Sequence, residues 1–236
     1  MGGGAGAPVT RHTYRFFARG VSSGCAQLSQ PDRHHLENVL RLRIGDTCEV
    51  AWEGHVHRAR LTGEGLELLE EVEDVPQAPS LTVWIAQPGA RSDEAVEKLT
   101  ELGVARIGAL RSELLKGSFS DARMERWARV AEAAAKQSKQ TRLPELLGVA
   151  GYADVLSPEA VVLSHEGASG GLADRIVGRR SATLLIGPEP GFSEAELELA
   201  RSRGVAVATF GPVVLRTETA AIVAAALALR EMGFLG

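Results

Sequence analysis

Beyond Ser80, short apolar runs alternate with longer segments whose apolar residues recur at helical spacing, and this alternation restricts the fold more than any other feature. Continuous runs rich in β-branched residues are typical of strands buried on both faces, and helices between them connect parallel strands. The sequence therefore predicts an α/β domain with a largely parallel sheet over residues 81–236. The predicted strands are 81–86, 106–110, 160–163, 182–186 and 205–210, and the predicted helices are 93–102, 121–139, 171–178, 193–203 and 217–232.

Residues 14–75 have a different pattern, because short strand-like segments are separated there by turns that contain glycine. This pattern predicts a small β-barrel. One helix, over residues 31–43, is expected to interrupt the strands, with Asp32 capping its first turn. The predicted strands are 14–18, 48–52, 56–61 and 66–72.

The boundary between these two patterns is marked by proline. Pro76 and Pro79 bracket a polar stretch that continues neither a sheet nor a helix, which places a linker at residues 76–80. Residues 1–13 are predicted to be a disordered leader, and its opening, Met1 to Pro8, lacks the basic and apolar regions of a signal peptide.

Charge and cysteine content limit the partners of the chain. Cys25 and Cys48 lie outside any CxxC or Cys/His cluster, so neither a disulfide framework nor a metal site is expected, and a reducing cytoplasm fits best. No apolar run approaches the roughly 20 residues that span a bilayer, so no membrane partner is expected.

The net charge is −4, so if RNA is the partner, the positive charge that binds it must be concentrated in one part of the chain. Between residues 11 and 60, eight arginines accompany five acidic residues, which indicates either an RNA-binding surface or an ordinary solvated face.

Two loops that follow predicted strands carry the residues that a ligand site requires, because ligands of open α/β sheets bind beyond the carboxyl ends of strands. One loop, at 187–196, is rich in glycine and proline and contains a Ser193–Glu196 capping box. The other has a lone arginine, Arg216, beside a threonine and a glutamate at a helix start, which suits a polar or anionic ligand. Each loop alone also fits a plain strand-to-helix connection. No GxGxxG motif with a downstream ribose acid and no GxxxxGK[ST], GxSxG or HExxH motif occurs.

The two loops together carry a resemblance to a known family. GPEPGFSEAE at 187–196 and FGPVVLRTETAA at 210–221 resemble the paired C-terminal signature of the bacterial 16S rRNA uridine-N3 methyltransferases of the SPOUT class. The similarity begins near residue 15 and runs to the C-terminus. Shorter pieces support it in order and approximate spacing, namely His34-His35-Leu36 with Val39-Leu40-Arg41-Leu42, Glu97-Lys98 with Thr100-Glu101-Leu102-Gly103-Val104, and Arg126-Trp127 with Gln137-Ser138 and Pro144.

The chain departs from the family pattern at three places. Pro190 stands where a second glycine is usual, which removes one backbone donor and fixes φ near −65°. Gln140 stands where an arginine is usual, with Arg142 as a substitute two residues on. Val213-Val214 replaces the usual Arg-Ile. The sequence therefore leaves undecided whether Gln140 and Val213-Val214 contact RNA as the usual residues would.

The resemblance implies the fold, the activity and the cofactor. It implies a PUA-like RNA-binding β-barrel at residues 14–75 and a SPOUT methyltransferase domain with a C-terminal trefoil knot at residues 81–236. The implied reaction is S-adenosylmethionine-dependent methylation of N3 of a uridine in 16S rRNA, free or in the assembled small ribosomal subunit, by a homodimer. The residues implied to bind the cofactor are Leu163, Ile186, Gly187, Pro188, Glu189, Gly191, Phe210, Gly211, Leu215, Arg216 and Thr217.

Roles in catalysis follow from what the reaction needs, since the uridine imide must lose its proton and approach the methyl carbon in line. Arg216 is the first candidate, because its fixed charge suits an anionic uracil, the cofactor carboxylate or an RNA phosphate. Glu189 and Glu218 are candidates for proton removal, and each fits equally well as a group that orients Arg216 or caps backbone amides.

The residues predicted to bind RNA are arginines, one lysine and one histidine, because positively charged side chains bind the phosphate backbone. Arginine grips phosphates bidentately, and the RNA duplex supplies shape. A structural role for His34 and a salt-bridged helix around Lys98 are the competing interpretations. The predicted RNA-binding residues are Arg15, His34, Arg41 and Arg43 in the barrel, with Lys98 and Arg142 on a helical face of the second domain.

Three alternatives remain open from the sequence. The same knotted fold can methylate another RNA position, such as a ribose 2′-hydroxyl. A non-catalytic RNA-binding factor for ribosome assembly would have lost cofactor use through the changes at Pro190 and Val213. A nucleotide-binding regulator would use the α/β domain alone.

Overall fold

A computed structural model describes residues 14–72 and 79–235. The chain divides into two compact units, Met1–Val75 and Pro76–Gly236. The predicted leader at 1–13 lies outside the described residues, as does most of the predicted linker at 76–80. Ser80, the last residue of that linker, already begins a strand.

The first unit is a six-stranded sheet with the order β1-β4-β5-β6-β3-β2, in which β1 and β4 are parallel and the other pairs are antiparallel. Only Ala18 and Arg19 separate β1 from β2, the two end strands. The Ala18 amide donates to the carbonyl of Ala51 (3.0 Å), and the Arg19 amide donates to that of Gln27 (2.8 Å), so one short segment touches both ends of the sheet. The sheet therefore curls back on itself. Its strands are β1 Arg15–Phe17, β2 Gly20–Ser22, β3 Cys25–Gln27, β4 Thr47–Trp52, β5 His55–Leu61 and β6 Leu66–Glu71.

The helix of this unit is shorter than predicted. Helix α1, Gln30–His34, passes directly into a π-helical turn, His35–Val39, and the predicted continuation to residue 43 is wrong because Arg41 has a φ of +54°. The N-cap is Ser29 rather than Asp32, since the Asp32 amide donates to Ser29 Oγ at 3.2 Å. Leu36 is the residue that this segment contributes to the apolar core of the unit.

The second unit is a six-stranded sheet in which every pair is parallel, with the order β12-β10-β11-β7-β8-β9. The α/β class and the parallel sheet are therefore as predicted. An additional strand, β9, and a short helix, α4, were not predicted. The elements are β7 Ser80–Ile85, α2 Arg91–Glu101, β8 Arg106–Arg111, α3 Asp121–Gln137, β9 Glu145–Gly151, α4 Tyr152–Val155, β10 Ala160–Leu163, α5 Leu172–Ile176, β11 Ser181–Ile186, α6 Glu194–Ser202, β12 Ala206–Ala208 and α7 Thr217–Glu231.

Two apolar cores cover the two faces of this sheet. Successive strand residues point to opposite faces, so Leu81 and Val83 of β7 pack on one side and Trp84 on the other. Helices α2, α3, α5 and α7 cover the first face, and α4 and α6 cover the second. A strand buried on both faces needs apolar residues at every position, which is why the continuous apolar runs marked the strands.

Within residues 14–72 and 79–235, no helix has the length and apolar character needed to cross a membrane. The same residues contain no cluster of three or more His, Cys, Asp or Glu side chains arranged to hold a metal ion. Cys25 and Cys48 are free thiols, and burial, with a smaller contribution from Glu49, raises the pKa of the Cys48 thiol to about 12.

Candidate active site

A cleft lies where the loops after β10, β11 and β12 meet at the carboxyl edge of the second sheet. Strand β10 lies between β12 and β11, so the three loops are neighbours. The space within the cleft, including its mouth open to solvent, is about 590 Å³. Its lining residues are Leu163, Ser164, His165, Ile186, Gly187, Pro188, Glu189, Gly191, Ala208, Thr209, Phe210, Val213, Val214, Leu215, Thr217 and Ala220.

The structure brings together at this cleft all the residues predicted to bind a cofactor except Gly211 and Arg216, which lie beside it in the third loop. Ser164 and His165 also line the cleft but were not predicted to do so. The one sequence signal that could have identified them is their position directly after the buried strand β10. Val213 and Val214 are exposed at the cleft and add apolar surface to its wall.

The second loop is shaped by a tight turn. The Gly191 amide donates to the carbonyl of Pro188 at 2.8 Å, and Gly191 has a φ of +83°, which favours glycine. The hydrogen bond that closes the turn uses the amide of residue 191 and none from residue 190, so Pro190 fits without costing that bond. At Gly187 a Cβ atom would lie 3.0 Å from the ring of Phe192, so the backbone passes close to the aromatic side chain.

Helix α6 begins with the predicted capping box, and the same carboxylate binds a further loop. Ser193 Oγ accepts from the Glu196 amide at 3.2 Å, and Glu196 Oε2 accepts from the Ser193 amide at 2.9 Å. Glu196 is buried and also accepts from Ser112 Oγ (3.1 Å) and the Glu113 amide (3.0 Å). The loops after β8 and β11 are therefore joined through one buried carboxylate.

The third loop leads into α7, whose first residues have distinct environments. Thr217 is buried, and its Oγ1 donates to the carbonyl of Gly187 at 3.0 Å, which joins the second and third loops. Arg216 precedes it as the N-cap residue, with its side chain exposed. Within the described ranges the Arg216 guanidinium makes no hydrogen bond or ion pair.

Glu189 at the cleft and Glu218 in the first turn of α7 both lie near an arginine that the sequence did not mark. Arg91 Nη1 lies 2.9 Å from Glu189 Oε1, and Arg91 Nε lies 3.8 Å from Glu218 Oε1. Neither glutamate pairs with Arg216, so their suggested role in orienting Arg216 finds no contact. The second oxygen of Glu218 is buried and has no hydrogen-bond partner among the described residues.

The first unit holds four of the predicted RNA-binding residues, and one of them has another role. Arg15 is only 7 % exposed, and its Nε and Nη2 donate to Glu49 Oε2 at 2.9 and 2.7 Å. The guanidinium of Arg15 is therefore held by Glu49 inside the unit, and a contact of Arg15 with RNA stays a prediction. His34, Arg41 and Arg43 are exposed.

Two predicted RNA-binding residues lie in the second unit. Lys98 Nζ is hydrogen-bonded to Glu97 Oε1 (2.7 Å) and Glu101 Oε1 (2.8 Å). The hydrogen bond to Glu101, followed by that to Glu97, raises the pKa of Lys98 above its ordinary value. Arg142 is exposed beside a second cavity at the amino edge of the sheet, so the structure does not bring it to the cleft.

Comparison with known proteins identifies the class first. Residues 76–229 match the family described as RNA methyltransferase domain, so the second unit is such a domain and the chain is an enzyme of that class. The ribosomal RNA small subunit methyltransferase E of Mycobacterium bovis is 33 % identical over 211 residues, which cover 80 % of each chain. The protein of that name from Bacillus subtilis is 27 % identical, over 81 % of this chain and 84 % of its own.

A solved relative leads to the same family. The ribosomal RNA small subunit methyltransferase E of Neisseria gonorrhoeae, bound to S-adenosyl methionine, is 30 % identical and superposes with a TM-score of 0.79. The match covers 91 % of this chain and 96 % of that protein. The chain therefore belongs to the ribosomal RNA small subunit methyltransferase E family.

Proposed function

We propose that this chain methylates N3 of a specific uridine in the 16S RNA of the small ribosomal subunit, with S-adenosylmethionine as the methyl donor. The observation that carries the proposal is the cleft, because the residues of both signature loops meet there although 210–221 follows 187–196 only after α6 and β12. The Neisseria relative, which was solved with that cofactor, supports the choice of methyl donor.

The proposed function includes a specific fold for each of the two units. We assign residues 14–75 to a PUA-like RNA-binding barrel, 76–80 to a linker and 81–236 to a SPOUT domain with a C-terminal trefoil knot, after a leader at 1–13. The curled first sheet supports the barrel, and the strand order around β10, β11 and β12 supports the SPOUT domain. We further propose that the protein is a homodimer and acts in the cytoplasm. Val213 and Val214 are exposed and offer apolar surface for contact between two subunits.

The residues of the cleft fit S-adenosylmethionine. Leu163, Ile186 and Leu215 present apolar surface suited to an adenine ring. The loop after β11 places Gly187 and Gly191 at the cleft, where the absence of side chains lets a ligand approach the backbone closely. When bound there, the cofactor supplies an electrophilic methyl group on a sulfonium.

Arg216 and Glu218 are the proposed catalytic pair. The Arg216 guanidinium is exposed beside the cleft with no partner among the described residues, so it is available to stabilise a uracil that becomes anionic as N3 loses its proton. Glu218 Oε2 is buried without a hydrogen-bond partner there, so it can accept that proton from a donor that reaches it. Glu189 is more exposed and already accepts a hydrogen bond from Arg91, so Glu218 is preferred over Glu189 for proton removal.

RNA binding is assigned to the exposed basic residues. His34 ends α1, Arg41 and Arg43 follow the π-helical turn, all three are exposed, and arginine binds phosphate bidentately. Arg142 is assigned a phosphate contact in the second unit. Lys98 keeps a weaker assignment, because two glutamates already accept hydrogen bonds from it.

The test is methylation of a defined substrate. Purified protein is incubated with S-adenosylmethionine labelled at the methyl group and with small ribosomal subunits that lack the modification, and in parallel with free 16S rRNA. Nucleoside analysis is expected to give labelled 3-methyluridine. Label in a ribose-methylated nucleoside would replace the base assignment, and no label in any RNA with no cofactor binding would overturn the proposal.

A further inference from the structure

We propose that Arg91 is a positioning residue for the cofactor cleft, which holds the loop after β11 and the start of α7 at a fixed separation. The proposal rests on the proposed function, since it assumes that this cleft takes S-adenosylmethionine. Arg91 itself does not line the cleft. It acts through Glu189, which does, and through Glu218 at the first turn of α7.

The geometry makes Arg91 a bridge between separate parts of the chain. Its Nη1 is 2.9 Å from Glu189 Oε1 in the second loop, and its Nε is 3.8 Å from Glu218 Oε1 in α7. Arg91 is the first residue of α2, a helix whose Val96 and Leu99 are fully buried against the sheet. The bridge is therefore anchored in the rigid core, while the loop that it holds is exposed at Glu189.

At the Glu218 end, the bridge is an electrostatic interaction between Arg91 and a buried carboxylate. The Glu218 side chain is only 8 % exposed, and Arg91 is its one cationic partner within 4.0 Å among the described residues. A buried carboxylate without a cation or hydrogen bonds is costly, so the position of Glu218 depends on Arg91. The positive end of the α7 dipole also favours this anion, so loss of Arg91 should move the helix start rather than unfold the unit.

The other end of the bridge distinguishes positioning from general stabilisation. Arg91 and Glu189 are both more than half exposed, at 51 % and 59 %, and isolated exposed ion pairs contribute little to stability. A contact of this kind still adds a restraint on where the loop lies, beside the hydrogen bond from Thr217 to Gly187 and the capping box. Loss of the Arg91–Glu189 contact alone should therefore affect ligand binding more than the unfolding midpoint.

The experiment compares Arg91→Ala and Arg91→Lys with the control Arg58→Ala, which removes an exposed pair with Glu70 at 3.0 Å in the first unit. Cofactor affinity is measured by calorimetry, and amide hydrogen exchange of residues 187–193 is measured without cofactor. Arg91→Ala is expected to weaken S-adenosylmethionine binding about tenfold and to speed that exchange. The KM for the cofactor should rise, and kcat should fall because the start of α7 carries Arg216 and Glu218. Lysine should restore binding in part, because it keeps the positive charge but lacks the two-pronged guanidinium geometry.

The control and a second variant decide the outcome. Equal effects of Arg91→Ala and Arg58→Ala, or wild-type affinity and exchange in Arg91→Ala, would overturn the proposal. If Arg91→Ala does not fold, Glu189→Gln removes the exposed end alone and must still weaken cofactor binding. A wild-type protein that binds cofactor but forms no 3-methyluridine would overturn the target and leave Arg91 standing, whereas no cofactor binding would overturn both.

Discussion

Thr217 Oγ1 donates a hydrogen bond of 3.0 Å to the main-chain carbonyl of Gly187, although the two residues are 30 positions apart. The contact joins the first residue of α7 to the first residue of the loop after β11. Both residues line the cleft, so this bond restrains the distance between two of its walls. The Thr217 hydroxyl therefore binds another loop, while Arg216 is the N-cap residue of the helix.

Replacing Thr217 with valine tests this contact. Valine keeps the shape of threonine but leaves the Gly187 carbonyl without its donor, so cofactor affinity is expected to fall roughly three- to tenfold. Calorimetric titration with S-adenosylmethionine measures the effect. Thr219→Val is the matched control, since Thr219 lies on the same helix and is exposed. Equal affinities in the two variants would show that the bond does not shape the site.

Substitution of Arg216 separates catalysis from binding. If its guanidinium stabilises the anionic uracil, Arg216→Ala should lower kcat by roughly 10²- to 10³-fold and change cofactor affinity much less. Single-turnover methylation of small subunits, with calorimetry alongside, gives both quantities. Arg230→Ala, at the exposed last turn of the same helix, serves as control. A loss confined to cofactor affinity would assign Arg216 to the cofactor carboxylate instead.

The sequence predicted the elements that depend on local composition. Apolar runs such as 160–163 and 182–186 correspond to β10 and β11, because strands buried on both faces need apolar residues at every position. Strand β9 escaped prediction because it contains Gly148 and Gly151 and is only partly buried at the edge of the sheet.

Contacts between distant segments escaped prediction for a different reason. Arg15 pairs with Glu49 because β1 and β4 are in parallel register with these two residues opposite each other. Nothing in the local sequence fixes that register. Arg91 was missed for the same reason, since its partners lie 98 and 127 residues further along the chain. The signature loops were found because each carries its polar groups within a few residues.

Arg15 and Arg41 are expected to respond to substitution in opposite ways. Arg15→Met leaves Glu49 largely buried without its cation, so the free energy of unfolding should fall by about 3 kcal/mol. Arg41→Ala removes an exposed side chain and should change that energy by less than about 0.5 kcal/mol. Urea denaturation measures both values.

The same two variants are then compared in RNA binding. If Arg41 contacts phosphate, Arg41→Ala should weaken binding of 16S rRNA and reduce the slope of log affinity against log salt concentration by about one. Arg15→Met, measured at a temperature where it remains folded, should keep the wild-type slope. A reduced slope for Arg15→Met and an unchanged one for Arg41→Ala would reverse the assignment of these two arginines.

Glu196 provides a test of how the second loop is held. Its carboxylate accepts hydrogen bonds from the Ser193 amide, Ser112 Oγ and the Glu113 amide, and every partner is a donor. In Glu196→Gln the amide NH₂ group replaces one acceptor oxygen and faces a donor, so the free energy of unfolding should fall by about 2 kcal/mol. Glu198→Gln, exposed on the same helix, should leave it within about 0.5 kcal/mol of wild type. Because Ser193 ends the loop that begins at Gly187, Glu196→Gln should also weaken cofactor binding. Unchanged affinity would mean that the other contacts of the loop, including the turn at Gly191 and the hydrogen bond from Thr217, hold it without Glu196.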